Sequence, residues 1–169
     1  MVIYMYYYIN SFYLYSFLGY IYETIVNYIL YQKYFTNILK EPIKPIYGIG
    51  VIITIIIEKI VFNKLKLSKK KKIFIYAITV TLILTILEFI SGHLLHYIFH
   101  KSYWNYTRYP LHLGKYICLG VSAIWGIFSI IYLLYLNQRT DKIIKKIPKW
   151  FSNLLIIITI FDILIALIH

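Results

Sequence analysis

The sequence predicts an all-α polytopic membrane protein, a bundle of about five transmembrane helices with the N-terminus inside and the C-terminus outside. Three observations carry that expectation. Of the 169 residues, 61% are hydrophobic and only 14% charged, with a mean hydropathy of +0.71, and soluble domains are rarely so apolar. The apolar residues fall into runs of about 20 or more, the length a helix needs to cross a bilayer. The basic residues are sorted unevenly between the loops joining those runs.

The apolar runs are 5–31, 46–62, 73–99, 116–136 and 151–168, and together they predict one transmembrane domain over 1–169. No basic residue precedes Lys33 and no small-residue cleavage site follows the first run, so it is expected to be a retained helix rather than a signal peptide. Many of the 20 tyrosines, such as Tyr6, Tyr7, Tyr8, Tyr31, Tyr34 and Tyr47, sit near run ends, where an interfacial aromatic belt accounts for them. No internal repeat is evident, and Lys69 to Lys72 is the one low-complexity stretch.

Loop charge sets the orientation. The stretch 63–72 carries Lys64, Lys66 and Lys69 to Lys72, and 137–150 carries Arg139, Lys142, Lys145, Lys146 and Lys149. The other two loops are poorer, with Lys33, Lys40 and Lys44, then Lys101, Arg108 and Lys115. Cytoplasmic loops are the basic ones, so the first pair is expected inside, in a multi-pass protein of the cell membrane. The net charge of +12 then belongs with anionic lipid headgroups and not with nucleic acid. The single cysteine, Cys118, excludes a disulfide framework within the chain.

Acidic residues inside apolar runs are costly and therefore informative. Glu23 lies in the first run, Glu88 in the third and Asp162 in the last, all toward the outer ends in the expected orientation. Ser16, Tyr20, Glu23 and Asn27 share one helical face, as do Thr81, Thr85, Glu88, Gly92 and His96. Two such stripes are satisfied by facing each other or a common wet cavity, or by serving only as glue between helices. Candidate cations are Lys40, Lys44, Arg108 and Lys115, with His96 a further partner for Glu88. Glu58, beside Lys59 near the inner end of the second run, is expected as a solvated interfacial pair. His93, His96 and His100 have a spacing compatible with a metal, but without an HExxH arrangement no metal is assigned, and no cofactor is expected.

Two loops stand out. Pro42 and Pro45 with Gly48 and Gly50 at the outer start of the second run suit either a loop packed into the mouth of a bundle or a plain surface turn. The stretch from Tyr103 through Trp104, Asn105, Tyr106 and Arg108 to Pro110 is expected to lie on the outer interface, anchored by Trp104 and Tyr106.

Phe17-Leu18-Gly19-Tyr20-Ile21-Tyr22-Glu23-Thr24, Pro45-Ile46-Tyr47-Gly48-Ile49-Gly50, Glu88-Phe89-Ile90-Ser91-Gly92, Trp104-Asn105-Tyr106 and Gly114 to Leu119 with Trp125-Gly126 follow one another in an order that resembles a known group. That group is the CmpB-like family of small bacterial membrane proteins, type IV ABC-transporter permeases. The family usually has Asp where this chain has Asn105, and Arg-Gly and Gly-Pro where it has Ile38-Leu39 and Glu41-Pro42. The resemblance implies the architecture of a transport-type subunit, and the two polar stripes give the first expectation for its site, an outward-facing polar cavity lined by Glu23, Glu88 and the Pro45 to Gly48 loop. No Gly-x-x-x-x-Gly-Lys-Ser/Thr loop is present, so an ATPase would be a separate partner. Five helices enclose little space, which points to a homo-oligomer or a partner subunit. Two other readings stand beside it. One is an intramembrane enzyme acting on a lipid or lipid-linked substrate, with Glu23 or Glu88 as acid or base, His96 or Arg108 assisting and Ser91 as the best nucleophile. The other is a structural or regulatory membrane protein.

Overall fold

The computed structural model describes residues 2–31 and 39–168; Lys33 and Tyr34, assigned above to a loop and to the aromatic belt, lie outside the described residues. The protein is all-α and 79% helical, and the described residues form five helices: α1 (Val2–Tyr31), α2 (Pro45–Lys64), α3 (Lys69–Phe99), α4 (Leu119–Ile144) and α5 (Lys149–Ile168). Among the described residues, α2 to α5 are long and apolar enough to cross a bilayer. α1 spans 30 residues, but its tyrosines, Asn10 and Glu23 lower its apolarity.

Start and stop signals follow local chemistry. Pro45 opens α2 at the position where a helix needs no backbone donor. Ser68 occupies the extended residue before α3, and the ammonium of Lys72 donates to the Phe62 carbonyl at the end of α2, 2.8 Å away. α3 ends at His100, whose φ of 52° is left-handed and whose N–H returns to the His96 carbonyl.

The fourth helix departs from expectation at both ends. Residues 117 and 118 are not helical: β1 (His112–Leu113) pairs antiparallel with β2 (Ile117–Cys118) in a small hairpin. At the other end, hydropathy falls after Leu136 but the helix continues to Ile144, through a π-helical turn at Tyr132–Leu136. Loss of apolarity marks the exit from the hydrocarbon and does not itself break a helix, because Asn137 to Ile144 contains neither Gly nor Pro. The chain stops the helix only before Pro148.

By internal contacts the chain divides into two compact units, Met1–Ile52 with Thr140–His169, and Ile53–Arg139. In the first unit α1 is bound to neighbouring segments through polar side chains. Asn10 donates to the Ile144 carbonyl and accepts from the Ser152 hydroxyl. The Tyr15 and Thr140 hydroxyls lie 2.8 Å apart, and Tyr13 donates to Thr159 at 3.0 Å. Tyr6, expected in an interfacial belt, donates to Asn153. Leu39 and Ile43 of the proline loop are buried against Tyr13, Phe12, Leu155 and Ile156, while Lys40 and Pro42 are exposed, so the loop packs into its unit on one side only. Ser16 and Phe12 meet α2 at Gly48, where an added Cβ would stand 2.6 Å from the Phe12 carbonyl oxygen. The second unit has its own core, with Ile57 and Val61 of α2 against Tyr76, Val80 and Leu84 of α3, flanked by Trp125.

Candidate functional site

Glu88 stands at the centre of the second unit. It is 3% exposed, and both its oxygens are held. The Tyr106 hydroxyl donates to Oε1 at 2.7 Å, and the Trp125 indole donates to Oε2 at 3.3 Å. Tyr106 belongs to the loop expected to lie on the interface, and the hairpin turns it inward: its own N–H donates to the Lys115 carbonyl at 2.8 Å. Trp125 comes from α4.

A second layer fixes this arrangement. Tyr116 lies across Gly92, one turn beyond Glu88, where an added Cβ would meet the ring at 2.5 Å. The Tyr116 hydroxyl is 3.1 Å from that of Ser102, and its ring meets His93 and Trp104 edge-on, with centroids 4.8 and 6.0 Å away. The indole nitrogen of Trp104 and the hydroxyl of Ser122 are buried without hydrogen-bond partners among the described residues. Thr81 and Thr85, two members of the α3 polar stripe, turn back to carbonyls of their own helix, Ala77 and Thr81. The residue types around Glu88 are therefore aromatic donors, and α3 supplies little of its polar lining.

Other expected members sit apart from it. His96 is exposed, with Nδ1 3.4 Å from the Ser102 hydroxyl. Asn105 closes a local turn by accepting from the Thr107 N–H, and Arg108 is exposed. Among the described residues no group of three or more His, Cys, Asp or Glu is placed to hold a metal.

Glu23 belongs to the first unit and carries an ion pair, with Lys44 Nζ 2.8 Å from its Oε2. Of the four candidate cations, Lys44 is the one that reaches an acid, because the bond from its N–H to the Ser16 carbonyl brings the proline loop against α1. The pair is partly solvated, 23% exposed at the lysine and 31% at the glutamate, and exposed pairs of this kind contribute at most about 1 kcal/mol. Tyr47 stacks edge-on with Tyr22 below it. Tyr20 and Asn27 are half-buried. A groove of about 330 Å³ in this unit is walled by Met5, Tyr8, Ile9, Phe12, Tyr13, Ile52 and Ile156, so none of the acids lines it.

Two acids noticed in the sequence, Glu58 and Asp162, have partners that the sequence did not reveal. Glu58 is held by Asn137, whose side-chain amide lies 2.8 and 2.9 Å from its two oxygens, while Tyr132 donates to the Asn137 carbonyl oxygen at 3.4 Å. This adds a partner to the interfacial pair expected with Lys59, and it depends on the helical extension that carries Asn137. Glu41 and Asp162 form a second polar centre. The Glu41 N–H donates to Asp162 Oδ2 at 2.9 Å, and Thr159 donates to Glu41 Oε2 at 2.8 Å. Burial pushes the Glu41 carboxyl up from its ordinary value, the Thr159 bond opposes this, and the charge of Asp162 adds to the rise.

The family model described as Putative ABC-transporter type IV matches residues 10–169. The chain belongs to that family. The match takes in every acid discussed above, and with the four apolar helices it fits a membrane transporter-like protein. No curated protein and no solved structure matches the chain significantly.

Proposed function

We propose that this chain is the membrane-embedded, permease-like subunit of an ABC-type transporter, with α1 as a fifth crossing, the N-terminus inside and the C-terminus outside. The observation that carries the reading is a carboxylate, Glu88, buried in an apolar helix and clasped by aromatic donors from two other segments. An acid is retained at such depth where a polar solute or a conformational step uses it. In this reading Glu88 is the solute-facing group of the second unit, its carboxyl plane held by Tyr106 and Trp125, and the Glu23–Lys44 pair beside Pro45, Tyr47 and Gly48 is a separate polar site of the first unit.

ATP hydrolysis comes from a separate subunit. Its contacts are the basic inner segments: the lysines at 64–72, and separately Arg139 and Lys142 on the last turns of α4 with Lys145 just past its end. Basic side chains on a helix, rather than on a loose loop, support this reading. A second copy of the chain completes the pathway, since a single chain has too few helices to enclose one.

The test is affinity purification of the chain at native abundance in a mild detergent. The reading expects an ATP-binding subunit to copurify, and to be lost when Arg139, Lys142 and Lys145 are changed together to Glu. Recovery of the intact chain with no ATP-binding subunit overturns it.

A further inference from the structure

We propose that side-chain oxygens of Glu41, Asp162, Thr159 and Tyr13 form a binding site for a hard cation. Three segments of the first unit converge there: α1 brings Tyr13, the proline loop brings Glu41, and α5 brings Thr159 and Asp162 on one face at a three-residue spacing. Tyr13 donates to Thr159, Thr159 to Glu41, and the Glu41 backbone to Asp162, so the four residues are linked in one chain of hydrogen bonds.

The observation pointing to a ligand is the other half of the Asp162 carboxyl. Asp162 is 5% exposed, and its Oδ1 is buried with no hydrogen-bond partner among the described residues. Buried polar atoms in folded proteins are almost always satisfied, and one that is not calls for an ion or a water. The surroundings favour an ion. The bond from the Glu41 N–H to Asp162 brings the two acids into one cluster beside the buried Leu39 and Ile43, and a cation between neighbouring carboxylates relieves their repulsion. Of the two lysines on the loop, Lys44 is engaged by Glu23 and Lys40, next to Glu41, is exposed.

The donor set selects the ion's class. All four side chains offer oxygen, from two carboxylates and two hydroxyls, with neither imidazole nor thiolate among them, which suits sodium or calcium and not a transition metal. The site stands whether or not the chain transports a solute. In a transporter it would make the proline loop respond to ions at the outer face.

Purified full-length protein in detergent micelles tests this, with thermal unfolding followed by tryptophan fluorescence at constant ionic strength. Sodium chloride and calcium chloride are titrated separately against choline chloride. One of them should raise the midpoint saturably by several degrees over choline, sodium marking a monovalent site and calcium a divalent one. Asp162→Asn should abolish the rise, and Glu41→Gln should shift half-saturation at least tenfold upward. Absence of any rise over choline in the wild type, or an undiminished rise in Asp162→Asn, overturns the proposal. If Asp162→Asn does not fold, an undiminished response in Glu41→Gln overturns it equally, and equilibrium binding of radioactive sodium or calcium to the two proteins gives the same decision directly.

Discussion

Glu88 is where a single atom decides most. Replacing it with Gln keeps the volume but turns one accepting oxygen into an amide that faces a donor, Tyr106 or Trp125. Leaving a buried donor unmatched costs about 1–3 kcal/mol, so Glu88→Gln should lower the unfolding midpoint in detergent. Tyr106→Phe should cost about 1–2 kcal/mol, in the upper range of hydrogen bonds measured within membranes. The double variant should cost less than the sum, and strict additivity would mean that the two groups do not interact. A second residue-scale outcome concerns pH. A folded-state carboxyl pKa raised above the unfolded value means the native protein holds its proton longer, so stability falls as pH rises through and above the ordinary carboxylate range. Glu41 carries such a rise, and Glu41→Gln should flatten the fall in a choline buffer free of sodium and calcium; an unchanged slope would contradict the assignment. Glu88 and Glu23 were legible in the sequence because a charge inside an apolar run needs no structure to be noticed. Their partners were legible only in part: Lys44 stood among four candidate cations, while nothing in the sequence marked Trp125 as a partner of Glu88. Trp125 and Lys44 reach them through the rotation of each helix about its axis and the path of a loop, neither of which a hydropathy pattern sets.

Elements carried the clearest signal and the clearest errors. The spans expected at 46–62, 73–99 and 151–168 became α2, α3 and α5 within a few residues, since long apolar runs bounded by Pro or Lys leave little choice. The error at 116–136 has a physical cause: apolar residues serve a hairpin strand as well as a helix start, and polar ones continue a helix that has left the membrane. Asn137 lay hidden in a presumed loop for that reason. Asn137→Ala should cost about 1–3 kcal/mol by leaving Glu58 without its amide, measurable as a lowered midpoint. Close packing at helix crossings offers a sharper test. In Gly48→Ala the new methyl meets the Phe12 carbonyl oxygen, which cannot swing away, so about 1–3 kcal/mol should be lost. Gly120→Ala meets nothing nearer than the Cys118 sulfur at 3.8 Å and should be neutral or stabilising by about 0.5–1 kcal/mol.

The whole molecule is a helical membrane protein of the family described above, and the orientation proposed for it rests on loop charge. In a Cys118→Ser background, a cysteine at Lys70 should react with an impermeant thiol reagent only from the cytoplasmic side, and one at Leu113 only from outside. The opposite pattern would invert the topology and move the proposed ATPase dock to the wrong face. The central claim is that Glu88 serves function and not merely helix packing. The measurement that reaches it most directly is ATP hydrolysis by the complex purified from native membranes and reconstituted in lipid, wild type against Glu88→Gln, at matched subunit content. The account predicts that the variant still assembles with its ATP-binding subunit while turnover falls at least tenfold. An assembled Glu88→Gln complex with wild-type turnover would contradict it.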